Sequence, residues 1–372
     1  MRKIITSILL ITLTLGLFAQ EYQFKTLVDL ETSNVKSQGQ TGTCWSFSTT
    51  SFLESEIQRI MGKNIDIAEM YLVRNTYTDK AWNYVMRQGK AQFSEGGLAH
   101  DVINAVATYG LVPQSAYPDI FGTNQVYNHA TVIPDLKNIL NAYIKNGTNS
   151  AYPDWKTSIT PILDQQIGKN PNSFIFDNQT FSPALFAEYT KIIPENYISI
   201  TSFTHEKPYS KFVLNIPDNF SNGSFYNVTL DELEAITFQA LKTGYSIALD
   251  VDVSEKTFSS KYGLAILPIA GSNPEKIFTE ITPEIEVTEA YRQQEFENFN
   301  TTDDHLMHIT GIVKDQAGNS YFKVKNSWGE SSDRVGNDGY IYLSIPYFRA
   351  KTISILLHKD ALDKEMNSKL SI

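Results

Sequence analysis

The chain has 372 residues, a formal net charge of −10 at pH 7 and one cysteine, Cys44. Its length suffices for a large buried core and for two packed subdomains, whereas its acidic charge argues against nucleic acid or an anionic membrane surface as a partner. A single cysteine excludes a disulfide within the chain, so the fold must be stabilised by burial of apolar side chains.

Residues 1–19 have the pattern of a secretory signal peptide. Arg2 and Lys3 precede an apolar stretch from Ile4 to Phe18, and Ala19 supplies the small residue expected at a cleavage site. A membrane anchor is the alternative, but the apolar stretch is shorter than the ~20 residues that a spanning helix needs. We therefore expect export to the periplasm or the medium, with too few residues left before the cysteine for an inhibitory pro-domain.

Cys44 stands where a loop of small residues opens into a helix. Residues 38–48 read Gln-Gly-Gln-Thr-Gly-Thr-Cys-Trp-Ser-Phe-Ser, and apolar residues then recur at helical spacing as far as Met61, with Gly62 as the C-terminal cap. A thiol at a helix N-terminus lies at the positive end of the macrodipole, which favours the thiolate and lowers the thiol pKa. The alternative is a buried structural cysteine, the commoner role of a free cysteine in general.

The middle of the chain predicts further helices and then a strand. Helices are expected over Leu98–Tyr109 and Leu230–Thr243. The proline-punctuated stretch 121–220 is rich in apolar residues and is expected to be a mostly helical insertion, with short runs such as Leu136–Ile144. Tyr245–Val253 alternates between apolar and polar residues and is expected to be a strand.

The last part of the chain has hairpin signals. Met307–Val313 and Tyr321–Lys325 are joined by a turn over Asp315–Asn319, and another strand is expected over Gly339–Ile345. The sequence therefore predicts antiparallel strands near the C-terminus. This hairpin would carry Asn326 back beside the strand that follows His305.

A thiolate that attacks an acyl carbon needs a base, a group that orients the base, and donors for the oxyanion. His305 and His308 are both candidates for the base. Beside Asp303 and Asp304 they could instead form a metal cluster, but residues three apart on a strand point to opposite faces, which argues against a shared metal.

The orienting group and the oxyanion donor also have candidates. Asn326 could hold the imidazole through its side-chain carbonyl, with Trp328 shielding that bond from water. Gln38 could direct its amide at the oxyanion beside the N–H of Cys44. Taken alone, the segment Asn326-Ser327-Trp328-Gly329 could also be an ordinary turn.

These motifs resemble the papain-like cysteine peptidases. The resemblance rests on Gln38-Gly39 ahead of Cys44-Trp45-Ser46-Phe47, on Glu95-Gly96-Gly97, and on Lys325-Asn326-Ser327-Trp328-Gly329 with Gly339-Tyr340. It also assigns the base, because the family places its histidine six residues before a glycine in the following strand, as His305 stands before Gly311.

The resemblance implies a two-lobed α+β fold with a cleft between the lobes. A helical lobe over 20–120 would carry the nucleophile, a helical insertion would span 121–229, and an antiparallel, β-barrel-like lobe over 230–372 would carry the histidine and the asparagine. The implied catalytic residues are Cys44, His305, Asn326 and Gln38. The implied substrate-binding residues are Glu95, Gly96, Gly97 and Trp328. Peptide substrates are the implied partners, and no metal or organic cofactor is implied.

Within the family, the chain looks most like the bleomycin hydrolase and aminopeptidase C subgroup. Leu111-Val112-Pro113, the long insertion, and Lys207-Pro208-Tyr209-Ser210-Lys211 near its end carry this likeness. In that subgroup the C-terminal carboxylate caps the substrate amine and the protein forms hexamers. A signal peptide and an extension over 363–372 depart from the subgroup, and both count against C-terminal capping and against a hexamer here.

The sequence therefore predicts an exported cysteine peptidase that acts as an aminopeptidase. An endopeptidase of the same fold is the first alternative, and it differs only in specificity. A secreted binding protein that keeps the fold without turnover is the second alternative, which no feature supports because all four catalytic positions are filled.

Overall fold

The computed structural model describes residues 22–122 and 125–372. The predicted signal peptide over 1–19 lies outside these residues. Within the described ranges, no helix combines the length and the apolar character that crossing a membrane requires.

The described residues contain ten α-helices. They are α1 (Cys44–Met61), α2 (Glu69–Met86), α3 (Ala99–Tyr109), α4 (Val132–Asn146), α5 (Trp155–Gln166), α6 (Pro183–Thr190), α7 (Leu230–Lys242), α8 (Glu289–Glu297), α9 (Ile345–Lys351) and α10 (Lys364–Leu370). The first three pack against one another and form the helical part that was expected around Cys44.

The same residues contain thirteen β-strands. They are β1 (Lys25–Asp29), β2 (Phe174–Phe176), β3 (Gln179–Phe181), β4 (Tyr197–Thr201), β5 (Lys211–Val213), β6 (Ser224–Asn227), β7 (Ile247–Val251), β8 (Phe258–Ser259), β9 (Leu264–Ala265), β10 (His305–Lys314), β11 (Ser320–Lys325), β12 (Tyr340–Ser344) and β13 (Thr352–His358). β2 and β3 form a separate hairpin, and all the others join one sheet.

The large sheet is open. Its strand order is β5-β6-β4-β13-β7-β10-β11-β12-β9-β8, with β1 added to β10. The α+β fold class is confirmed, but the barrel-like closure predicted for 230–372 is wrong: β13, at one end of that part of the sheet, pairs with β4 and not with β8 at the other end. Most neighbours are antiparallel as predicted, whereas β4 pairs with β6 and β9 with β12 in parallel.

The predicted helix at Cys44 has the observed bounds of α1. Gly62 ends it in the left-handed conformation, with φ of 67°. The serines and threonines of its first turns are poor helix formers, so tertiary contacts must stabilise their helical conformation. Ser46 Oγ donates to a backbone carbonyl of α2, and Ser51 Oγ is hydrogen-bonded to His308 Nδ1.

Sequence analysis did not predict α2, β1 or β13. α2 is buried around most of its circumference, so its apolar residues do not mark a single face. β13 is buried at all seven positions, and a continuously buried strand has no alternation by which it could be recognised. β13 nevertheless lies in the middle of the sheet, between β4 and β7.

The stretch 121–229 contains strands as well as the predicted helices. α4, α5 and α6 lie within it, together with the five strands from β2 to β6. Because β4 pairs with β13 and with β6, this stretch extends the large sheet, which the prediction of a mostly helical insertion had missed. Its boundaries remain a prediction.

Two apolar cores lie on opposite faces of β10. Leu306 belongs to the first core, together with side chains of α1 to α6. Met307 and Ile309 belong to the second core, which α7, α9 and α10 cover. α1 packs against β10, so the first residues of this helix and of this strand meet at the boundary between the two cores.

Candidate active site

One cleft at the junction of α1 and β10 collects most of the residues predicted for the site. Seven of the eight line it: Gln38, Cys44, Glu95, Gly96, Gly97, His305 and Trp328. The eighth, Asn326, is buried behind His305 and contacts its ring. Residues that are distant in the sequence therefore share one surface.

Cys44 is the first residue of α1 and is 8 % exposed. Burial raises the pKa of its thiol to about 12, although hydrogen bonds from the backbone N–H groups of Leu306 and Trp45 favour the thiolate. The negative charges of Asp303 and Asp218 add to the increase. The lowering expected from the helix terminus is therefore outweighed, because a thiolate would lose its hydration in this cleft.

His305 is the first residue of β10, and Asn326 holds its ring. His305 Nε2 lies 2.7 Å from Asn326 Oδ1, which also accepts a hydrogen bond from the N–H of Ser327. Because a backbone N–H can only donate, the acceptor on Asn326 is its carbonyl oxygen, and His305 must carry its proton on Nε2. Nδ1 is then the basic nitrogen of the ring.

The ring of Trp328 packs against that of His305. Its ring centroid lies 4.7 Å from that of His305, with an angle of 32° between the planes. Burial lowers the pKa of His305 to about 4, and the hydrogen bond to Asn326 opposes this shift. The imidazole is therefore neutral at pH 7 in the absence of a charged partner.

The thiol and the imidazole are shifted in opposite directions, so each is uncharged at neutral pH. Transfer of the thiol proton to the imidazole would create a pair of opposite charges and would leave the net charge of the cleft unchanged. Desolvation then acts on two opposite charges in one cleft and not on an isolated ion, which is the less costly case.

His308 lies away from the cleft. It is fully buried, and its Nδ1 is 3.0 Å from Ser51 Oγ in α1. Burial holds the pKa of His308 well below its usual value, and the nearby charge of Lys325 lowers it further. The two histidines thus occupy different environments, as their separation of three residues along a strand predicted.

Gln38 lies beside Cys44 with its amide held at both ends. Its Oε1 accepts a hydrogen bond from Ser327 Oγ at 2.7 Å, and its Nε2 donates to the carbonyl oxygen of Thr41 at 2.6 Å. An amide nitrogen carries two hydrogens, so one N–H of Gln38 remains for an oxyanion. The backbone N–H of Cys44 would be the second donor.

The loop 95–97 forms another wall of the cleft. Glu95 Oε2 accepts from the N–H of Gly42 at 2.6 Å, and the carbonyl oxygen of Glu95 accepts from Trp45 Nε1 at 2.9 Å. The loop is therefore tied to the chain on both sides of the cysteine. A Cβ on Gly97 would lie 3.1 Å from the indole of Trp45, which explains why a residue without a side chain packs there.

Three carboxylates that were not predicted as site residues line the cleft, those of Asp218, Asp303 and Asp304. Sequence reasoning considered the last two only as metal ligands, whereas no motif marks Asp218, which lies in the loop between β5 and β6. Among the described residues that line the cleft there is no lysine or arginine. The cleft therefore favours positively charged ligands.

One group of carboxylates outside the cleft has the spacing of a metal site. It consists of Glu54, Asp66 and Glu69. Lys36 Nζ lies 3.3, 2.5 and 2.6 Å from these three carboxylates, in that order, so an ammonium occupies the centre of the group. Its charge offsets part of the negative charge of the group, and the ion cluster links Glu54 of α1 to Glu69, the first residue of α2.

Known proteins resemble the chain in sequence and in fold. The model of the Peptidase C1-like family matches residues 17–371. The Lactobacillus delbrueckii subsp. lactis protein named Aminopeptidase G is 23 % identical, over 92 % of this chain and 85 % of its own length. The Listeria monocytogenes protein named Aminopeptidase C is 26 % identical, over 91 % and 83 %. The crystal structure of PepW from Lactobacillus rhamnosis has the same fold, with a TM-score of 0.73 at 18 % identity, over 93 % of this chain and 84 % of that one.

Proposed function

The chain belongs to the Peptidase C1-like family and is a cysteine-type peptidase, and from this premise we propose that it is an aminopeptidase that uses Cys44, His305 and Asn326. The main support is the hydrogen bond of 2.7 Å between His305 and Asn326, at the cleft that Cys44 lines. Relatives named as aminopeptidases align with more than nine-tenths of the chain, which agrees with this proposal.

In the proposed reaction, His305 Nδ1 accepts the thiol proton and the sulfur of Cys44 attacks the carbonyl carbon of the first peptide bond. Asn326 holds the ring in position as it becomes a cation. The oxyanion accepts hydrogen bonds from Gln38 Nε2 and from the N–H of Cys44. The imidazolium then donates its proton to the leaving amine, the C–N bond breaks, and a thioester remains.

Hydrolysis of the thioester completes the cycle. His305 Nδ1 accepts a proton from water while the water oxygen bonds to the acyl carbon. When the C–S bond breaks, the proton returns to the sulfur, and both Cys44 and His305 regain their uncharged forms. The N-terminal residue leaves as a free acid.

The charge of the cleft supports the removal of N-terminal residues. Four carboxylates line it, from Glu95, Asp218, Asp303 and Asp304. A peptide with a free N-terminus carries a positive charge at neutral pH, whereas an internal segment does not. This complementarity favours an aminopeptidase over an endopeptidase of the same fold.

N-terminal profiling of a defined peptide mixture tests the proposal. The wild type should remove residues from free N-termini, and Cys44→Ala should release nothing. His305→Asn should lower kcat by about 10²- to 10⁴-fold, the usual contribution of a general base. His205→Asn is the matched control, because this histidine contacts Gln293 and Phe296 outside the cleft, and it should keep wild-type activity.

Each alternative has a distinct outcome. Cleavage that persists in Cys44→Ala would refute the assignment of the nucleophile. Equal turnover of N-acetylated and free peptides would indicate an endopeptidase. A folded wild type that cleaves no peptide, and whose Cys44 is not labelled by a thiol-directed epoxide at neutral pH, would indicate a binding protein.

We also propose that the protein is exported, on the basis of the signal-peptide pattern over 1–19. N-terminal sequencing of the protein recovered from the periplasm or the medium should begin at Gln20. An intact Met1 on protein confined to the cytosol would contradict export.

A further inference from the structure

The loop that joins β5 to β6 carries Asp218 into the cleft, and Asn219 holds this loop closed. Asn219 Nδ2 donates to the carbonyl oxygens of Leu214 and Gly223 at 2.8 and 3.0 Å. Asn219 Oδ1 accepts from the N–H of Gly223 at 2.7 Å. Asn219 is 8 % exposed, so these bonds are shielded from water and hold Asp218 in a defined position.

The two carboxylate oxygens of Asp218 have different surroundings. Oδ1 accepts from Gln92 Nε2 at 2.5 Å and from Ser94 Oγ at 3.4 Å, whereas no donor of the described residues bonds to Oδ2. Oδ2 lies over Gly96, where an added Cβ would overlap it. Glycine at this position therefore lets one oxygen lie over the loop without a partner, while the other is held.

Lys80 contacts the loop 95–97 but does not donate a hydrogen bond to Asp218 Oδ2. It is 1 % exposed, and its Nζ donates to the carbonyl oxygen of Gly96. Burial raises the pKa of Asp218, and the charge of Lys80 opposes that increase. Lys80 thus helps to keep the carboxylate ionised without being its hydrogen-bond partner.

Asp303 supplies a second acceptor in the same cleft. Its carboxyl group meets that of Asp250, which is 2 % exposed. The two carboxyl groups share a hydrogen bond, and burial holds the pKa of Asp250 well above its usual value, so Asp250 carries the proton and Asp303 accepts it. The proton of Asp250 thus favours the ionised form of Asp303, which can accept a further hydrogen bond from a cationic donor in the cleft.

Both carboxylates act on the reacting sulfur. The charges of Asp303 and Asp218 each raise the pKa of the Cys44 thiol, after the larger effect of burial. They therefore lie within electrostatic reach of the atom that attacks the peptide bond. A cation bound between them would cancel this effect and make the thiolate easier to form.

The C-terminal residues lie elsewhere in the molecule. α10 packs against α7, where Lys369 Nζ lies 2.9 Å from Glu232 Oε1, and Met366 and Leu370 are buried in the second core. Ile372 is 41 % exposed, and the described residues that line the cleft include none from 359–372. Residues 359–372 are therefore not placed to meet a substrate amine in this cleft.

We propose that Asp218 and Asp303 bind the protonated N-terminal amine of the substrate, so that side chains of the cleft select peptides with a free N-terminus. This inference rests on the aminopeptidase activity proposed above. An ammonium group offers three N–H donors, and charge-assisted bonds to two carboxylates fix both its position and its direction.

The test compares pairs of fluorogenic amino-acid amides that differ only in acetylation of the amine. Asp218→Asn keeps the size of the side chain and removes its charge. It should lower kcat/KM for the free-amine substrate about 10- to 100-fold, mainly through KM, and leave the N-acetylated twin unchanged or improved. Labelling of Cys44 by a thiol-directed epoxide should not decrease, because the nucleophile is intact.

Two further variants serve as controls. Asp333→Asn makes the same charge change at an exposed position outside the cleft, and it should leave both substrates within twofold of wild type. Deletion of Ser371 and Ile372, which do not line the cleft, should keep the wild-type preference for a free amine.

The possible failures are distinguishable. If the wild type does not prefer the free-amine substrate, the proposed aminopeptidase activity fails before any variant is measured. If the wild type has this preference and folded Asp218→Asn keeps it, or if the deletion abolishes it, the inference is wrong and the proposed function stands. Should Asp218→Asn not fold, Asp303→Asn is judged by the same substrate pair and the same criterion.

Discussion

Replacement of Asn326 by alanine tests how the imidazole of His305 is positioned. The change removes the oxygen that lies 2.7 Å from His305 Nε2 and leaves the N–H of Ser327 without its acceptor. Asn326 is 4 % exposed, so bulk water does not replace the missing group. Trp328, whose ring lies 4.7 Å from the imidazole, remains in place.

The expected magnitude follows from these two lost bonds. The imidazole is a cation during catalysis, and a hydrogen bond from a charged donor contributes about 1.5–3 kcal/mol, so kcat should fall about 10- to 150-fold. The unpaired N–H of Ser327 should lower the free energy of unfolding by about 1–3 kcal/mol. KM should change little, because Asn326 does not line the cleft.

Two measurements separate a positioning role from general damage. Steady-state kinetics give kcat and KM, and the rate of Cys44 alkylation by iodoacetamide across pH reports the ionisation of the pair. Burial lowers the pKa of His305, and the hydrogen bond to Asn326 opposes this shift. Loss of that hydrogen bond should therefore move the acid limb of the pH profiles of kcat and of alkylation to lower pH. Asn300→Ala, at an exposed position outside the cleft, is the matched control.

A folded Asn326→Ala protein with kcat within twofold of wild type would refute the role assigned to this residue. A large loss of kcat with an unmoved acid limb would also count against it. That result would mean that the variant disturbs the cleft without changing the environment of the imidazole.

Three other changes have defined outcomes. Gly96→Ala should displace the Asp218 carboxylate and raise KM for free-amine substrates about tenfold, with no change for N-acetylated twins; equal effects on both would contradict this. Because burial and then the charge of Asp218 raise the pKa of Asp303 to about 7, KM for free-amine substrates should fall as the pH rises through 7. This KM should rise again above about pH 8, where the substrate amine loses its proton. The same fall and rise of KM with N-acetylated substrates would exclude this explanation. Burial raises the pKa of Glu284 from 4.5 to about 7, so its carboxyl group binds a proton more tightly in the folded state than in the unfolded state. The stabilisation that this proton provides is lost as the pH rises through 7. Glu284→Gln should remove up to about 3 kcal/mol of this pH dependence, measured by urea unfolding at pH 5 and pH 8, and an unchanged dependence would refute it.

Local patterns were sufficient to predict the elements that carry the proposed catalytic residues. The apolar residues at helical spacing after Cys44 and the cap at Gly62 gave the bounds of α1, because a glycine in the left-handed conformation marks a helix end in the sequence. The alternating residues and the turn over Asp315–Asn319 gave the β10–β11 hairpin, since tight turns have short-range signals. Motif spacing selected His305 over His308, and the structure brings only the former to the cleft.

Some features have no local signal. The apolar residues of α2 do not mark a single face, and β13 is buried at all seven positions, so neither element has the periodicity that would reveal it. Closure of a sheet depends on which distant edges meet, so the barrel-like lobe expected from family resemblance proved to be an open sheet. The direction of the thiol pKa was also missed, because it depends on the desolvation of Cys44 by residues from other parts of the chain.

By itself, the sequence determined the types of the reacting groups and the local elements that hold them, because both depend on residues within a few turns of helix or strand. Only the tertiary structure decided the charge of the cleft. Asp218 comes from a loop that no motif marks, and its oxygen lies over Gly96 only after that loop has packed against the helical part. Electrostatic effects depend on distance in space, and separation along the chain does not reveal that distance.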